Sequence, residues 1–285
     1  MIIWIVSYPK SGNTLVRSML SGLMSAKLYG SNGSIDFTKL SIIPEFIQNY
    51  YFKNVEAGAL TNFSKLSKYW IKSQEEINSN KKINFLKTHH IRCSINGNNF
   101  TDSKNTAGVI YIVRDPRNVI TSLKNYYGYD DDKAMDVMLS ENWYLYPIKE
   151  QSERIIHTLV GSWPNHYKSW TRNNKRLLLV KYEDLINDKK KELTKIISYI
   201  KKIIPFDITQ EEIQNCVNSS NFENMKKMEN EGKFTEGSWM QEKKSVGNFF
   251  NLGEKNDWKK ILNKEIREKI EFEFSEEMKE LGYLY

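Results

Sequence analysis

Cysteine is scarce in this chain of 285 residues, which contains only Cys93 and Cys216. The two lie far apart and in no C-x-x-C spacing. A disulfide framework and a cysteine-rich zinc site are therefore excluded. Two reduced thiols are the expected state, and this favours a reducing compartment.

Long apolar runs are absent as well. No stretch approaches the roughly 18 uninterrupted apolar residues that a membrane helix needs. The apolar amino terminus, Met1–Val6, follows no basic segment and is too short for a secretory signal peptide. We expect a soluble, cytoplasmic protein that has no membrane partner.

The charge balance says little about function. The chain has 42 Lys and Arg against 35 Asp and Glu, a net charge of +7. Many lysines stand in pairs or triplets among glutamates, as in 189–191, which is typical of solvated helix faces. No nucleic-acid recognition module is evident, so we predict no nucleic-acid partner.

With 40% hydrophobic and 27% charged residues the composition is that of a globular protein, and this length predicts a single domain over residues 1–285.

Short apolar runs alternate with helical patterns along the chain. Runs at residues 2–7, 83–87, 108–113 and 177–181 predict buried parallel strands. Four helices are predicted: one after the first strand with the stripe Val16, Met19, Leu20, Leu23 and Met24; one from near Asn118; one with Leu193, Ile196, Ile197 and Ile200; and a last one with Ile266, Ile270, Phe274, Met278 and Leu281. The predicted fold class is α/β, with a doubly wound parallel sheet of about four to five strands flanked by helices.

Three segments, 29–80, 126–161 and 230–250, do not fit this alternation. Ligands of open α/β sheets bind beyond the carboxyl ends of the strands, so we expect these excursions to cover an active site at that edge. One of them is rich in aromatic residues that predict an aromatic-lined pocket: Tyr126, Tyr127, Tyr129, Trp143, Tyr144 and Tyr146.

The segment Tyr8–Thr14, with the sequence YPKSGNT, follows the first strand and opens a helix. At such a position backbone N–H groups and the helix dipole can hold an anion. Lys10 adds a positive charge, and Ser11, Asn13 and Thr14 add hydrogen-bond donors. The glycine and the lysine stand in the reverse of the order found in G-x-x-x-x-G-K-[ST], which speaks against an ATPase.

Further motifs follow this loop in a fixed order. They are FLKTH at 85–89, YIVRDPRNVITS at 111–122, GSW through Trp170 at 161–170, KYEDL at 181–185 and SNFENM at 220–225. Together with the loop they make the chain resemble the sulfotransferases that use 3′-phosphoadenosine 5′-phosphosulfate (PAPS). The matching motifs extend from residue 5 to Trp258.

The resemblance implies transfer of a sulfuryl group from PAPS to an acceptor hydroxyl or, as a second choice, an amine, with release of adenosine 3′,5′-bisphosphate (PAP) and without a metal. It implies that Lys10 stabilises the leaving phosphate, that His89 is the general base and that Lys87 neutralises the sulfuryl oxygens. It assigns the 3′-phosphate to Arg114 and Ser122 and the adenine to Tyr182 and Phe222. The full set implied for the nucleotide is Lys10, Ser11, Gly12, Asn13, Thr14, Arg114, Ser122, Tyr182, Ser220, Phe222, Asn251 and Gly253.

The chain departs from the family pattern in three places. Leu15 replaces a tryptophan that packs on the adenine, and the segment 251–258 lacks the two basic residues with which the family element begins. We predict that Arg117, Lys243, Lys244 or Lys255 supplies the missing charge. The family's dimer motif is not evident in 259–272, which leaves the oligomeric state open.

Some roles have competitors. His90 competes with His89 as the base, Tyr182 and Phe222 could equally be core aromatics, and we expect His157 and His166 to be structural. The alternative functions are a small-molecule or nucleoside kinase, a non-catalytic nucleotide-binding protein and a basic nucleic-acid-binding protein. The acceptor, a small molecule or a glycan, stays open.

Overall fold

The computed structural model describes residues 1–145, 158–234 and 249–285, together with the backbone of two short strands, Ser238–Met240 and Ser245–Gly247. Its central sheet has four strands: β1 Ile2–Ser7, β2 Asn84–Thr88, β3 Thr106–Val113 and β4 Leu177–Lys181. Their order is β2-β1-β3-β4, and every pairing is parallel. The predicted α/β fold class is confirmed, and the predicted strand bounds are right to within two residues.

The first strand shows why the sheet is buried on both sides. Successive side chains of a strand point to opposite faces. Trp4 and its neighbours two residues away pack into one apolar core, whereas Ile3 and Ile5 pack into a second core on the other face. Every residue of β1 is buried, because helices cover both faces.

Helices lie on both faces of the sheet. In chain order they are α1 Asn13–Tyr29, α2 Phe63–Ser67, α3 Trp70–Asn78, α4 Pro116–Tyr127, α5 Asp131–Leu139, α6 Trp163–Thr171, α7 Tyr182–Asn187, α8 Lys189–Lys201, α9 Gln210–Ser219, α10 Phe222–Asn230, α11 Trp258–Ile261, α12 Lys264–Glu273 and α13 Ser275–Glu280. Apolar residues of α1, α8 and α9 form the core with Ile3, and those of α4, α5, α6, α12 and α13 form the core with Trp4. This confirms the doubly wound arrangement. None of the helices in the described ranges is long and apolar enough to cross a membrane.

Two helix boundaries differ from the prediction. Helix α4 begins at Pro116 rather than near Asn118, because the Asp115 side chain accepts a hydrogen bond from the Arg117 N–H and a proline fits the first helical position. The prediction of one helix at the carboxyl terminus is wrong, since α12 and α13 meet at Phe274, whose φ of −110° and ψ of 20° are not helical. The five apolar residues of the predicted stripe are nevertheless all buried.

The first excursion, 29–80, runs beside β2 at its carboxyl end. The Lys87 N–H donates to the Pro44 carbonyl over 2.9 Å, and the Phe46 N–H donates to the Lys87 carbonyl over 2.8 Å. Glu45 is therefore held next to Lys87. The second excursion contributes α5 and the paired strands Tyr144–Leu145 and Thr158–Leu159. Residues 146–157 lie outside the described residues, as do 235–237, 241–244 and 248.

Arg117 joins α4 to the carboxy-terminal part of the chain. Its guanidinium donates to Asp115 over 2.7 Å, to Glu271 over 2.6 Å and to the Tyr283 carbonyl over 2.9 Å. It also lies 3.9 Å from the centre of the Trp258 ring. The side chain is only 7% exposed, so this cation is buried with its partners.

We predict that Arg117→Ala lowers the free energy of unfolding by about 3–5 kcal/mol, because it leaves the buried Asp115 carboxylate without its partner. The control is Arg172→Ala, whose side chain is 49% exposed and pairs with Glu280 at the surface. Exposed pairs contribute less than about 1 kcal/mol. Urea unfolding of both variants measures the difference, and equal losses would contradict the role given to Arg117.

Candidate active site

One cavity of about 1650 Å³ lies at the carboxyl ends of the four strands. All strands of a parallel sheet end at the same edge, so the segments that follow them converge there. The cavity is lined by Lys10 after β1, His89 after β2, Arg114 after β3 and Tyr182 after β4. The structure thus brings together nearly the whole predicted set: Lys10, Gly12, Asn13, Thr14, Lys87, His89, Arg114, Ser122, Tyr182, Ser220, Phe222, Asn251 and Gly253.

The loop between β1 and α1 forms one wall of this cavity. Lys10 and Gly12 both have positive φ, 66° and 103°. A Cβ atom on Gly12 would lie 2.5 Å from Cδ2 of Tyr182, so only glycine allows that ring to lie on the loop. The Asn13 side chain donates to the Ile5 carbonyl over 3.2 Å and fixes the start of α1 to the strand. The first-turn N–H groups of α1, which a helix leaves without internal partners, therefore lie at the cavity.

Ser11 departs from the prediction, since it does not line the cavity. Its side chain is 1% exposed, and its hydroxyl has no hydrogen-bond partner among the described residues. The loop turns this side chain inward while Lys10 and Gly12 face the opening.

Lys10 is a half-buried cation held between aromatic rings. Its Nζ lies 3.5 Å from the centre of the Tyr126 ring and 3.9 Å from that of Phe249. Such contacts stabilise an ammonium group by about 0.5–2 kcal/mol. Burial and, less strongly, the nearby positive charge of Arg114 lower the pKa of Lys10 to about 7, while the carboxylate of Glu229 opposes this shift.

Arg114 lies beside this loop. Its Nη1 donates to the Lys10 carbonyl over 3.0 Å, and its guanidinium lies 4.3 Å from the centre of the Tyr182 ring. The residue is 8% exposed, and its Nε has no partner among the described residues. A buried guanidinium donor without a partner favours an anionic ligand, since an unpaired buried charge is costly. Ser122, which lies within α4, lines the same cavity.

Lys87 is buried at the end of β2 and paired with Glu45. The distance from Lys87 Nζ to Glu45 Oε2 is 2.9 Å, and the two side chains are 9% and 27% exposed. Sequence reasoning identified Lys87 but missed Glu45, which lies in the excursion and belongs to no motif. Only the pairing of that segment with β2 brings the carboxylate to the lysine.

The His89 ring has a defined tautomer. Its Nδ1 lies 2.7 Å from the Ser7 carbonyl oxygen, and a carbonyl oxygen only accepts hydrogen bonds. Nδ1 therefore donates to this carbonyl, and in the neutral form of the ring the lone pair is on Nε2. His89 lines the cavity.

His90, its competitor, lies in the core. The ring is 0% exposed and is stacked between Phe100, with centroids 4.2 Å apart, and Phe63, at 5.5 Å. Burial lowers the pKa of His90 to about 3, and the ring does not line the cavity. His166 is also 0% exposed and bonds to the Tyr111 hydroxyl over 2.8 Å. His157 lies outside the described residues.

Tyr182 and Phe222 serve the core and the cavity at once. Both are half-buried, pack against the core that contains Ile3, and line the cavity. The Phe222 ring lies on the backbone of Gly253, where a Cβ atom would be 2.9 Å from the ring. Each ring is therefore fixed by a glycine that has positive φ, Gly12 for Tyr182 and Gly253 for Phe222.

The prediction that Arg117 or Lys255 replaces the missing basic pair of 251–258 gains no support. The Arg117 guanidinium forms ion pairs with Asp115 and Glu271. Neither Arg117 nor Lys255 lines the cavity. Lys243 and Lys244 lie outside the described residues. Among the described residues, the charged side chains that line the cavity are Lys10, Lys53, Lys87, Arg114 and Lys189 against Glu45 and Glu183, five basic and two acidic groups. Such a lining favours an anionic ligand.

Aromatic side chains form the rest of the wall. Tyr127 and Tyr129 are stacked with centroids 5.2 Å apart, and Trp143 meets the edge of Tyr127 at 6.3 Å. Tyr126 and Tyr144 line the cavity with them, whereas Tyr146 lies outside the described residues. Sequence reasoning missed Tyr50, which also lines the cavity but stands in a segment without a recognisable motif.

Comparisons with known proteins identify the family of this chain. A family model described as "Sulfotransferase domain" matches residues 2–282. The chain therefore belongs to the sulfotransferase family, which confirms the resemblance that the motifs indicated. The protein is a sulfotransferase enzyme, and the kinase and nucleic-acid-binding alternatives are set aside.

Its relatives are distant. Mouse sulfotransferase 1 family member D1 is 26% identical over 98% of this chain and 83% of its own length. The rabbit amine sulfotransferase is 29% identical, but the match covers 62% of this chain and 56% of that relative. Among solved structures, mouse sulfotransferase SULT7A1 complexed with PAP has a TM-score of 0.60 at 19% identity, covering 98% of this chain and 84% of that one. Retinol dehydratase in complex with androsterone and the inactive cofactor PAP has a TM-score of 0.55 at 15% identity, covering 98% and 80%.

We predict that Gly12→Ala is more destabilising than Gly30→Ala. Both glycines have positive φ, so alanine costs about 1–2 kcal/mol at either position. Only at Gly12 does the new Cβ also meet a ring, that of Tyr182, and such overpacking adds about 1–3 kcal/mol. Urea unfolding of the two variants measures the difference. Equal costs would contradict the close approach of Tyr182 to the loop.

Proposed function

We propose that this enzyme transfers a sulfuryl group from PAPS to a hydroxyl group, or as a second choice an amine, of a small-molecule acceptor. The observation that carries the proposal is the convergence of Lys10, Lys87, His89 and Arg114 on one cavity beside the start of α1. The two similar solved structures, both complexes with PAP, support the choice of donor.

The residues at this edge fit an adenosine 3′-phosphate 5′-phosphosulfate. In our proposal the loop from Lys10 to Thr14 and the start of α1 hold the phosphosulfate, because they offer a cation and backbone donors. Arg114 and Ser122 hold the 3′-phosphate, for which the guanidinium offers a planar set of donors. The Nε of Arg114 is buried and has no partner among the described residues, and a bound phosphate would accept its hydrogen bond.

The adenine fits between the two rings that glycines fix, Tyr182 and Phe222. Ser220, Asn251 and Gly253 line the cavity at this end and complete the proposed nucleotide site. Leu15 lines it as well, where the family has a tryptophan, so an aliphatic contact replaces a ring.

The reaction that we propose is an in-line displacement at sulfur. The acceptor oxygen attacks the sulfur atom, the bond between sulfur and the bridging phosphate oxygen breaks, and PAP leaves with the electron pair. His89 Nε2 takes the acceptor proton, since Nδ1 is held by the Ser7 carbonyl. The Lys10 ammonium stabilises the charge that develops on the bridging oxygen, and Lys87, oriented by Glu45, stabilises the sulfuryl oxygens.

The acceptor that we propose is a small molecule with a ring. The aromatic wall of Tyr127, Tyr129 and Trp143 offers flat apolar faces, which suit a phenol or a fused ring system. The complex of retinol dehydratase with androsterone and the rabbit enzyme named for amines support a small acceptor rather than a glycan. The free thiols of Cys93 and Cys216 support the cytoplasm as the place of action.

We predict that His89→Asn lowers the turnover of sulfuryl transfer by about 10²–10⁴-fold. Asparagine can keep the hydrogen bond to the Ser7 carbonyl but has no counterpart of Nε2, so the base is lost while the loop stays in place. Transfer of labelled sulfate from PAPS to a panel of phenols, alcohols and amines supplies the assay.

The control is His90→Asn, which makes the same change in a ring that lies in the core. Turnover per folded molecule is expected to stay within a few-fold of that of the parent enzyme. If His90→Asn lost turnover and His89→Asn kept it, His90 would be the base and the proposed mechanism would be wrong.

A further inference from the structure

Glu229 stands near the carboxyl end of α10, where a negative charge is unfavourable to the helix dipole. Its carboxylate instead accepts two consecutive backbone N–H groups from another part of the chain. Oε1 accepts from Phe249 over 2.5 Å, and Oε2 accepts from Phe250 over 3.0 Å. Hydrogen bonds to a charged acceptor are about twice as strong as neutral ones, so this pair fixes the backbone at 249–250.

The backbone held by Glu229 places two rings. Phe250 is 7% exposed and is stacked on Phe37, with centroids 5.6 Å apart and planes 14° apart. The Phe249 ring, whose centre lies 5.0 Å from that of Phe250, covers the ammonium of Lys10 at 3.9 Å. It also meets the edge of the Tyr126 ring at 5.6 Å, so the two rings enclose Lys10 together.

The charges around Lys10 give Glu229 a second effect. Arg114 and Lys87 disfavour the charged form of Lys10, whereas Glu229 favours it. Among the described residues, two acidic groups line the cavity, and both are engaged elsewhere. Glu45 pairs with Lys87, and Glu183 accepts hydrogen bonds from the Asp115 N–H over 3.0 Å and from the Tyr283 hydroxyl over 2.8 Å.

We propose that Glu229 is a positioning residue for the nucleotide site: its carboxylate fixes the backbone of Phe249 and Phe250 and thereby holds the Phe249 ring over Lys10. It acts through this segment, not by touching the substrate, and it does not line the cavity. Residues 249–250 continue into Asn251 and Gly253. The contact with Glu229 therefore also fixes the direction in which the chain reaches the part of the cavity that these two residues line. The inference rests on the proposed function, in which Lys10 meets the phosphosulfate.

The test uses four variants of the full chain: Glu229→Gln, Phe249→Ala, the double variant, and Glu223→Gln as the matched control on an exposed position of the same helix. Glutamine has the shape of glutamate, but its NH₂ group would face an N–H that needs an acceptor. Unfolding curves establish that every variant is folded before binding is measured.

The first readout is hydrogen exchange of the Phe249 and Phe250 amides without nucleotide. We expect Glu229→Gln to speed both by about tenfold or more and Glu223→Gln to leave both unchanged. Unchanged exchange in Glu229→Gln would overturn the inference, whatever the ligand of the cavity is.

The second readout is the dissociation constant of PAP, which serves as the probe. We expect each single variant to weaken binding by about tenfold, and the double variant to weaken it by about tenfold rather than a hundredfold, since both changes remove one contact. Additive losses, or wild-type affinity in Glu229→Gln, would overturn the positioning role. Failure of the parent protein to bind PAP would instead overturn the proposed function, while the exchange experiment still decides whether Glu229 holds the segment.

Discussion

Positive charge gathered at one edge of a buried sheet is the constraint on which the site depends. Lys87 and Arg114 are buried and Lys10 is half-buried, and all three lie at one cavity. Cations removed from water need partners, because an unpaired buried charge is strongly destabilising. Glu45 pairs with Lys87. Arg114 donates to a backbone carbonyl and stacks on the Tyr182 ring, which compensates part of its charge. Within the described residues, Lys10 has only the rings of Tyr126 and Phe249 and the more distant Glu229, so an anionic ligand would complete the charge balance.

The topology explains why these groups meet. Each of the four strands ends at the same edge, and each is followed within three residues by a side chain that lines the cavity. The long excursions then close the sides, as Glu45 and the tyrosines near residue 127 show. The sheet therefore supplies the charged floor of the cavity, and the excursions supply its aromatic wall.

Much of this was predictable from local sequence. The strands are continuous apolar runs, and the groups of the floor stand in motifs directly after them, as with Lys10, His89 and Arg114. Contacts between distant segments left no such signal. The pairing of Glu45 with Lys87 and the two bonds from 249–250 to Glu229 join residues twenty or more positions apart, and the burial of Arg117 depends on partners that are also distant in sequence. The break at Phe274 escaped prediction for a related reason: the apolar stripe continues across it, and periodicity alone cannot reveal a local change of ψ.

Calorimetric titration of the purified protein with PAP tests most directly whether this edge of the sheet holds a nucleotide with phosphates at its 3′ and 5′ positions. We predict that PAP binds without a metal, whereas ADP with magnesium binds far more weakly. The affinity for PAP is also expected to fall as the pH rises above about 7, since the bound phosphate favours protonated Lys10 and the unliganded lysine loses its proton there. Binding of ADP with magnesium and none of PAP would contradict the account.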